Sequence, residues 1–392
     1  MRLPPAGDYA VYWGYANALA EREVIFGGRY MALFPHLFGY SAFLSWFVRL
    51  FGSHTLLPVV LNVVLSTLSG VLLFFLGRRM LGVEAGCTAL AFWTLCPSQT
   101  MYNAMILSEP LYTTLLLAVL LLASVALDRN GTEGAPAGLL LGSGAGVLLA
   151  GVNMTRPVGV IVRLTILLWT FCIRGSDWGK RAFRRRGICF LAALLLVCVG
   201  AGKLGEIRME QRIGEEAAPI PGYSILVGFQ PDSDGRWNQA DSDRLARYNA
   251  EPGISAPEVQ QKLLADAVER ITSGEVPLLH LMQEKLRIFL GEDDACVGYS
   301  ATVVRHRDFF ALACNGFYYA CALLALVGAV RMAVRGDRSA LFLPVIYTVG
   351  LILAQLLVEV AGRYHYSILP MLMLLACGAF WKKMPEEQNS VM

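Results

Sequence analysis

The feature that most limits how this chain can fold is a series of long uncharged runs. Apart from Arg163, nine stretches contain no Asp, Glu, Lys or Arg, and most reach the ~17–25 residues that a helix needs to cross about 30 Å of hydrocarbon. In order, the runs are 56–77, 85–107, 110–127, 135–155, 157–173, 187–202, 309–330, 340–358 and 364–381. A soluble core helix explains one such run, but not nine. The sequence therefore predicts an all-α polytopic membrane protein with about nine transmembrane helices.

The overall composition indicates the same class. Of 392 residues, 56% are hydrophobic and 16% charged, whereas about 25% of residues are charged in an average soluble domain. So little charge cannot cover the surface of a soluble protein of this size. The composition disfavours a soluble enzyme, a disordered regulator and a nucleic-acid-binding protein, and membrane lipids are the expected surroundings.

Basic residues are concentrated in alternate gaps between the runs. Fourteen Lys and Arg residues lie in the gaps 78–84, 128–134, 174–186, 331–339 and 382–392. The short gaps on the opposite side contain only Arg156 and Arg363. Because cytoplasmic loops carry an excess of Lys and Arg, this bias predicts that the tail is cytoplasmic and that 204–308 lies outside.

These patterns divide the chain into five segments. We expect an external loop with interfacial helices, transmembrane helices, an extracytoplasmic lid, further transmembrane helices and a cytoplasmic tail, over 1–55, 56–203, 204–308, 309–381 and 382–392. Within the first segment, Pro35, His36 and Gly39 predict a broken or interfacial helix over 30–48. Nine spans with a cytoplasmic tail place the N-terminus outside without a translocation signal, so a first membrane helix is expected to be missing upstream of Met1.

The segment 204–308 is the only part with soluble character. Ser255 and Glu258 have the spacing of a capping box at a helix start. Pro277 is expected to open a second helix that stops at Gly291. The nine cysteines of the chain form no metal-site spacing, and the sequence leaves open whether a divalent metal assists.

Four polar clusters sit at the predicted outer ends of the spans. They surround Asp8, Glu109, Arg156 and the pair Arg363 and His365. Each of these residues also has a purely structural interpretation. Asp8 would be a solvated terminal acid, and Glu109 would be an acid that favours a helix start. Either arginine would be an anchor at the membrane interface, and His365 would extend its ring towards that interface. Arg163 lies two helical turns past Arg156, and its depth favours a functional role because an unpaired charge there is costly.

Taken together, the clusters are typical of a reaction site at the membrane edge. Carboxylates can deprotonate an acceptor hydroxyl, and forked arginine donors suit a phosphate leaving group. A site at the bilayer edge suits a substrate with a lipid tail. The sequence contains no Walker loop, strand-linked GxGxxG or HExxH pattern, so it does not support a nucleotide-driven pump or a metalloprotease.

Five stretches carry a resemblance to a known family. They are GDYAVYWGYANALAE, FPHLFGYSAFLSWFVRLFG, NAMILSEPLYTTLLL, GYSILVGFQPDSDGRWNQAD and EVAGRYHYSILP. In this order the chain resembles the GT-C superfamily of membrane glycosyltransferases, in the branch of protein O-mannosyltransferases, lipid A aminoarabinose transferases and Rgt-type sugar transferases. The resemblance implies a GT-C-like fold in a bacterial cell membrane and a polyprenyl-phosphate sugar donor.

The resemblance also implies roles for particular residues. Asp8 matches the catalytic loop aspartate, Glu109 matches the acid of a SEP motif, and Arg363 matches a basic position near the lipid phosphate. Further candidates for binding the substrate or the lipid phosphate are Arg156, Arg163, His365, Lys285 and Tyr12, of which Arg156 and Lys285 are chosen by chemistry alone. The sequence departs from the family in two ways: Tyr9 follows Asp8 where the family often has a second acid, and a first membrane helix is expected to be missing.

The sequence therefore predicts an integral membrane glycosyltransferase that moves a sugar from a polyprenyl-phosphate carrier to a lipid, glycan or protein acceptor on the outer face. Asp8 would take the acceptor proton, and 204–308 would cover the site. The alternative is a transporter or lipid flippase in which Glu109, Arg163 and Glu359 act as intramembrane charges, for which no internal repeat is visible. A structural subunit without catalysis is favoured only if Asp8 and Glu109 lie far apart.

Overall fold

A computed structural model gives the structure of the chain over residues 7–22, 24–25, 27–128, 134–335 and 340–381. Part of the predicted cytoplasmic charge lies outside these described residues, namely Arg129, Arg338, Lys382, Lys383 and the rest of the tail 382–392.

Throughout the described ranges the regular secondary structure is helical, without a β-strand. The α-helices are α1 (Asp8–Glu21), α2 (Arg29–Leu33), α3 (Leu37–Phe51), α4 (Leu57–Leu81), α5 (Val83–Leu95), α6 (Pro97–Tyr102), α7 (Glu109–Ala126), α8 (Ala135–Thr155), α9 (Gly159–Leu168), α10 (Arg181–Ile213), α11 (Gly222–Gly228), α12 (Gln239–Asn249), α13 (Ala256–Thr272), α14 (Leu278–Leu290), α15 (Ala295–Tyr299), α16 (Arg307–Val334), α17 (Phe342–Leu357) and α18 (Leu369–Phe380). A π-helical turn over Trp169–Ile173 extends α9, and 3₁₀-helices cover Gly175–Gly179, Pro231–Ser233 and Gly362–Ile368.

The long apolar helices confirm the predicted all-α membrane class. Among the described residues, five helices are long and apolar enough to cross a membrane: α4, α7, α8, α10 and α16. Shorter apolar helices stand beside them: α3, α5, α17, and α9 with its π-helical extension. The number of crossings, about nine, stays a prediction.

A stripe of glycines lets α8 pack closely against α10. Gly138, Gly142 and Gly146 repeat every four residues and so lie on one face of α8. A Cβ atom at Gly142 would lie 2.3 Å from the carbonyl oxygen of Phe190, and those at Gly138 and Gly146 would meet α10 carbonyls at 2.5 and 2.8 Å. Membrane helices associate through such small residues because apolar burial gives them no net gain in lipid.

Prolines break two of the apolar segments. The predicted break within 30–48 is confirmed, because α2 ends at Leu33 and α3 begins at Leu37. The run 85–107, predicted as one span, is instead two helices, α5 and α6, separated at Cys96. Pro97 lacks the N–H that would continue α5 and is tolerated at the first position of α6.

The segment between α10 and α16, which we call the lid after its predicted role, consists of the helices α11 to α15 with 3₁₀-helical and irregular connections. The predicted capping box is confirmed: the Ser255 hydroxyl accepts from the Glu258 N–H at 3.4 Å, and the Glu258 carboxylate accepts from the Ser255 N–H at 2.7 Å. The second predicted helix begins after Pro277 and ends at Gly291, also as expected. The boundary at 204 differs, because α10 continues to Ile213.

The two ends of the bundle differ in their charges. Arg79 forms an ion pair of 2.5 Å with Asp128 just past the end of α7, and Arg174 and Arg186 donate to backbone carbonyls at the same place. Glu109 stands at the opposite end, in the first turn of α7. The predicted cytoplasmic arginines and the predicted outer clusters therefore lie at opposite ends of one helix, and the membrane side that each end faces stays a prediction.

Candidate functional site

A buried carboxylate stands at the centre of the polar clusters. Glu109 is only 2% exposed, and its position at the start of α7 places it where the helix dipole favours an acid. Its Oε1 accepts a hydrogen bond from Arg156 Nη2 and lies 3.8 Å from Arg363 Nε. The two arginines, 207 positions apart in sequence by their numbers, therefore share one buried acid.

One aromatic ring lies close to both of these guanidinium groups. The Arg156 guanidinium lies 4.9 Å from the ring centroid of Tyr364, and the Arg363 guanidinium lies 5.5 Å from it. Tyr299 covers Arg363 at 5.3 Å. Because a cation over an aromatic face is attracted by the ring quadrupole, these rings hold both arginines without consuming all of their hydrogen-bond donors.

These arginines line a cavity of about 1060 Å³ between the lid and the apolar helices. Its walls come from α1 and the 34–37 turn, from the start of α9, from lid helices α11, α12, α14 and α15, and from the segment that links α17 to the 3₁₀-helix. A volume of this size exceeds that of an ordinary drug-sized pocket. The cavity can therefore hold a large polar group such as a sugar together with its phosphate.

Two polar residues of α1, Asp8 and Tyr12, lie on the cavity wall beside Val11 of the same helix. Asp8 lies in the first turn of α1, and its carboxylate accepts a hydrogen bond from Arg363 Nη2. The Tyr12 hydroxyl, one turn further on, is 3.4 Å from the Ser108 hydroxyl that precedes Glu109. The structure thus brings together Asp8, Tyr12, Glu109, Arg156 and Arg363, which are five of the eight predicted site residues. Glu109 lies behind the arginines and does not line the cavity, which suits a positioning role.

Three predicted site residues lie elsewhere. His365 is buried away from the cavity, with Nδ1 2.7 Å from the Phe289 carbonyl and Nε2 2.9 Å from Asp293. Lys285 is also buried and donates to backbone carbonyls. Arg163 is on α9 but does not line the cavity, although Val160 and Ile161 of the same helix do.

Sequence reasoning passed over several residues that the structure brings to the site. Tyr364 lies within the stretch EVAGRYHYSILP but was given no role, and Tyr299 lies outside the five stretches that carry the resemblance. His36 was singled out only as a helix breaker, yet it lines the cavity. Burial and the nearby Arg156 lower the pKa of His36 to about 4, with Arg363 acting in the same direction and Asp8 against it. At neutral pH His36 is therefore uncharged, and its ring can donate a hydrogen bond to a hydroxyl through one nitrogen and accept one through the other.

Within the described ranges, no group of three or more His, Cys, Asp or Glu side chains is arranged to hold a metal ion. The possible divalent metal stays a prediction.

The fold and the site define a class before any particular relative is considered: an all-helical membrane protein whose polar cavity lies at one end of the helix bundle. Comparison with solved structures then confirms the predicted GT-C-like fold. The chain is similar over 96% of its length to the oligosaccharyltransferase of Archaeoglobus fulgidus, solved in complex with Zn and sulfate, at 14% identity and a TM-score of 0.52. It spans 45% of the length of that chain.

Two further solved structures match less closely. Both are ArnT from Cupriavidus metallidurans, one bound to undecaprenyl phosphate and one in the apo state, each at 13% identity over 96% of this chain. Their TM-scores are 0.39 and 0.37, with 74% and 73% of the respective ArnT chains covered. Neither the protein-family models nor the curated protein sequences give a match.

Proposed function

We propose that this chain is an integral membrane glycosyltransferase that takes its sugar from a polyprenyl-phosphate donor. The observation that carries the proposal is the pair Arg156 and Arg363, held by the buried Glu109 on the wall of a large cavity at the end of a membrane bundle. Two forked guanidinium groups suit the oxygens of a phosphate. A phosphate that leaves from the anomeric carbon gains negative charge, and fixed positive groups stabilise that charge in the transition state.

The cavity also offers a route for a lipid tail. Its wall includes Val160, Ile161 and Ala354, from α9 and α17, and Val160 is 46% exposed. These are apolar helices of membrane composition. A substrate that binds here would have its phosphate beside the charged arginines and its hydrocarbon tail against these apolar side chains.

The acceptor is a hydroxyl of a lipid, glycan or protein that enters from the lid side. One of the carboxylates on the cavity wall takes its proton, and the arginines hold the departing polyprenyl phosphate. We further propose that this occurs on the outer face of a bacterial cell membrane, with the tail in the cytoplasm, since the sequence's basic bias and the lid's position favour that orientation.

The experiment uses the purified full chain in lipid nanodiscs with radiolabelled polyprenyl-phosphate hexoses and pentoses, and total membrane lipid and glycan as the acceptor source. The proposal predicts release of polyprenyl phosphate and label in a product, and a strong loss of both with Arg363→Gln. Arg247→Gln, which alters an exposed residue of lid helix α12, is the matched control. Absence of turnover with every donor, or equal turnover by Arg363→Gln, contradicts the proposal.

Reconstitution of the same purified chain into liposomes tests the transporter alternative. A transporter moves labelled donor lipid across a liposome membrane without forming a glycosylated product. In the structure, Glu109 begins α7 and Glu359 follows the end of α17, so both acids lie at helix ends. This position favours chemistry at one membrane edge over a coupling site at mid-membrane.

A further inference from the structure

The segment after α17 is fixed by the lid on two sides. Lys285 of α14 donates hydrogen bonds from Nζ to the carbonyl oxygens of Leu356 at 2.9 Å, Val358 at 2.7 Å and Gly228 at 2.9 Å. These three acceptors use all the donors of an ammonium group. The end of α17 is therefore tied to two separate lid helices, α11 and α14, through one buried side chain.

Backbone contacts complete this attachment. The Glu359 N–H donates to the Ser224 carbonyl at 2.7 Å, and the Val360 N–H donates to the Gly235 carbonyl at 3.0 Å. The approach is so close that a Cβ atom at Gly228 would lie 2.4 Å from the Val358 carbonyl carbon. The backbone of Glu359 is thus held from both sides, which is the kind of support that fixes a functional side chain.

The Glu359 side chain differs from the other acids of the cavity wall in its partners and its burial. In the part of the chain that the structure describes, four acids line the cavity: Asp8, Glu292, Asp294 and Glu359. Asp8 is paired with Arg363, Asp294 accepts a side-chain amide hydrogen bond, and Glu292 is exposed. No other described residue donates a hydrogen bond to the carboxylate of Glu359. Glu359 therefore keeps both carboxylate oxygens available to a hydroxyl that enters the cavity.

We propose that Glu359 is the general base that takes the proton of the acceptor hydroxyl. This assignment rests on the proposed glycosyl transfer and deepens it. The acceptor oxygen forms the new bond to the anomeric carbon as its O–H bond breaks, and the proton goes to a Glu359 oxygen. The bond between the anomeric carbon and the phosphate oxygen breaks, and its electron pair stays on the phosphate beside Arg156 and Arg363. Asp8 then orients the Arg363 guanidinium and takes no proton.

The surroundings of Glu359 agree with this role. Burial raises the pKa of Glu359 to about 6, whereas the Arg363 guanidinium and Lys285 lower it and Asp8 raises it further. Three tyrosines also face it: Tyr30, Tyr223 and Tyr364. A base of this pKa is ionised at neutral pH and is still basic enough to accept a proton. Below about pH 6 it is protonated, so kcat/KM falls about tenfold per pH unit on the acid side and levels off above it.

The test compares Glu359→Gln, Glu359→Asp and Asp8→Asn in nanodiscs, with Glu269→Gln on the exposed face of α13 as the control. We expect Glu359→Gln to lower kcat by about 10²–10⁴-fold, to leave KM for the donor nearly unchanged and to remove the acid limb of the pH profile. Glu359→Asp regains part of kcat and keeps the limb. Asp8→Asn mainly raises KM, because it acts through Arg363. Binding of undecaprenyl phosphate to Glu359→Gln, at wild-type affinity, shows that the variant is folded.

The outcomes separate the two proposals. If wild type turns over a polyprenyl-phosphate sugar and Glu359→Gln keeps its kcat and acid limb, the assignment of the base is wrong while the proposed function stands. If Asp8→Asn instead removes the acid limb, Asp8 is the base. If the wild type has no activity with any donor yet binds undecaprenyl phosphate, the proposed transfer itself is refuted.

Discussion

Glu109→Gln removes the single charge that two arginines share and keeps the volume of the side chain. Removing one partner of a buried ion pair leaves an uncompensated charge and costs about 3–5 kcal/mol. The side chains of Arg156 and Arg363 are 17% and 13% exposed, Arg363 keeps Asp8, and both keep the Tyr364 ring. We therefore expect the lower end of that range, about 3 kcal/mol in the free energy of unfolding.

The assay is reversible unfolding in mixed micelles titrated with SDS and followed by tryptophan fluorescence. A double-mutant cycle with Arg156→Met isolates the pair, and the double variant should be less destabilised than the sum of the single variants by about 1–3 kcal/mol. Glu269→Gln, on the exposed face of α13, should change stability by no more than about 0.5 kcal/mol. Additive effects in the cycle, or a Glu109→Gln variant as stable as the wild type, would refute the shared-acid arrangement.

Three further changes test the supports around the site. Lys285→Met leaves three carbonyls without their donor, and each buried group left unsatisfied destabilises the folded state by about 1–3 kcal/mol. Proteolysis of the lid should therefore become faster. An unchanged rate of proteolysis contradicts the attachment of the lid to α17. Asp293→Asn weakens the contacts of that carboxylate with His365 and with Ser98, 2.5 Å away, and should lower the free energy of unfolding by about 1–3 kcal/mol; no change in an SDS titration argues against a buried link. Ser255→Ala removes the cap of α13 and should cost about 0.5–2 kcal/mol; hydrogen exchange that stays equally slow in the first turn of α13 contradicts it.

Local sequence signals predicted the elements that depend on local chemistry. Pro35, Ser255 and Pro277 each act on the backbone within a few residues, and the helix boundaries at these positions are as expected. The split at Pro97 follows the same rule, but hydropathy alone treats the run 85–107 as continuous. The length of α10 was underestimated because its final turns carry charged residues. A helix that extends beyond the membrane can expose such residues to water. Lys203, for example, forms an exposed ion pair of 2.9 Å with Glu206 on this part of α10.

The candidate site was partly predictable for a different reason. Topology brings the ends of alternate helices to one side, so Asp8, Glu109, Arg156 and Arg363 could be grouped without knowing their contacts. Which of them pair could not be predicted, because the choice depends on how helices rotate and pack. His365 illustrates this: its spacing from Arg363 suggested a shared site, whereas the turn of the 3₁₀-helix directs it to Asp293, a residue without any sequence signal.

The affinity of the wild-type chain for undecaprenyl phosphate in nanodiscs, measured beside Arg363→Gln, tests the central claim most directly. The account predicts saturable binding that Arg363→Gln weakens by about 10–10²-fold, as expected when a charge-assisted hydrogen bond worth about 1.5–3 kcal/mol is lost. Arg247→Gln should bind as the wild type does, and the uncharged polyprenol should bind far more weakly than its phosphate. Equal affinity of wild type and Arg363→Gln, or equal binding of the polyprenol and its phosphate, would contradict the account.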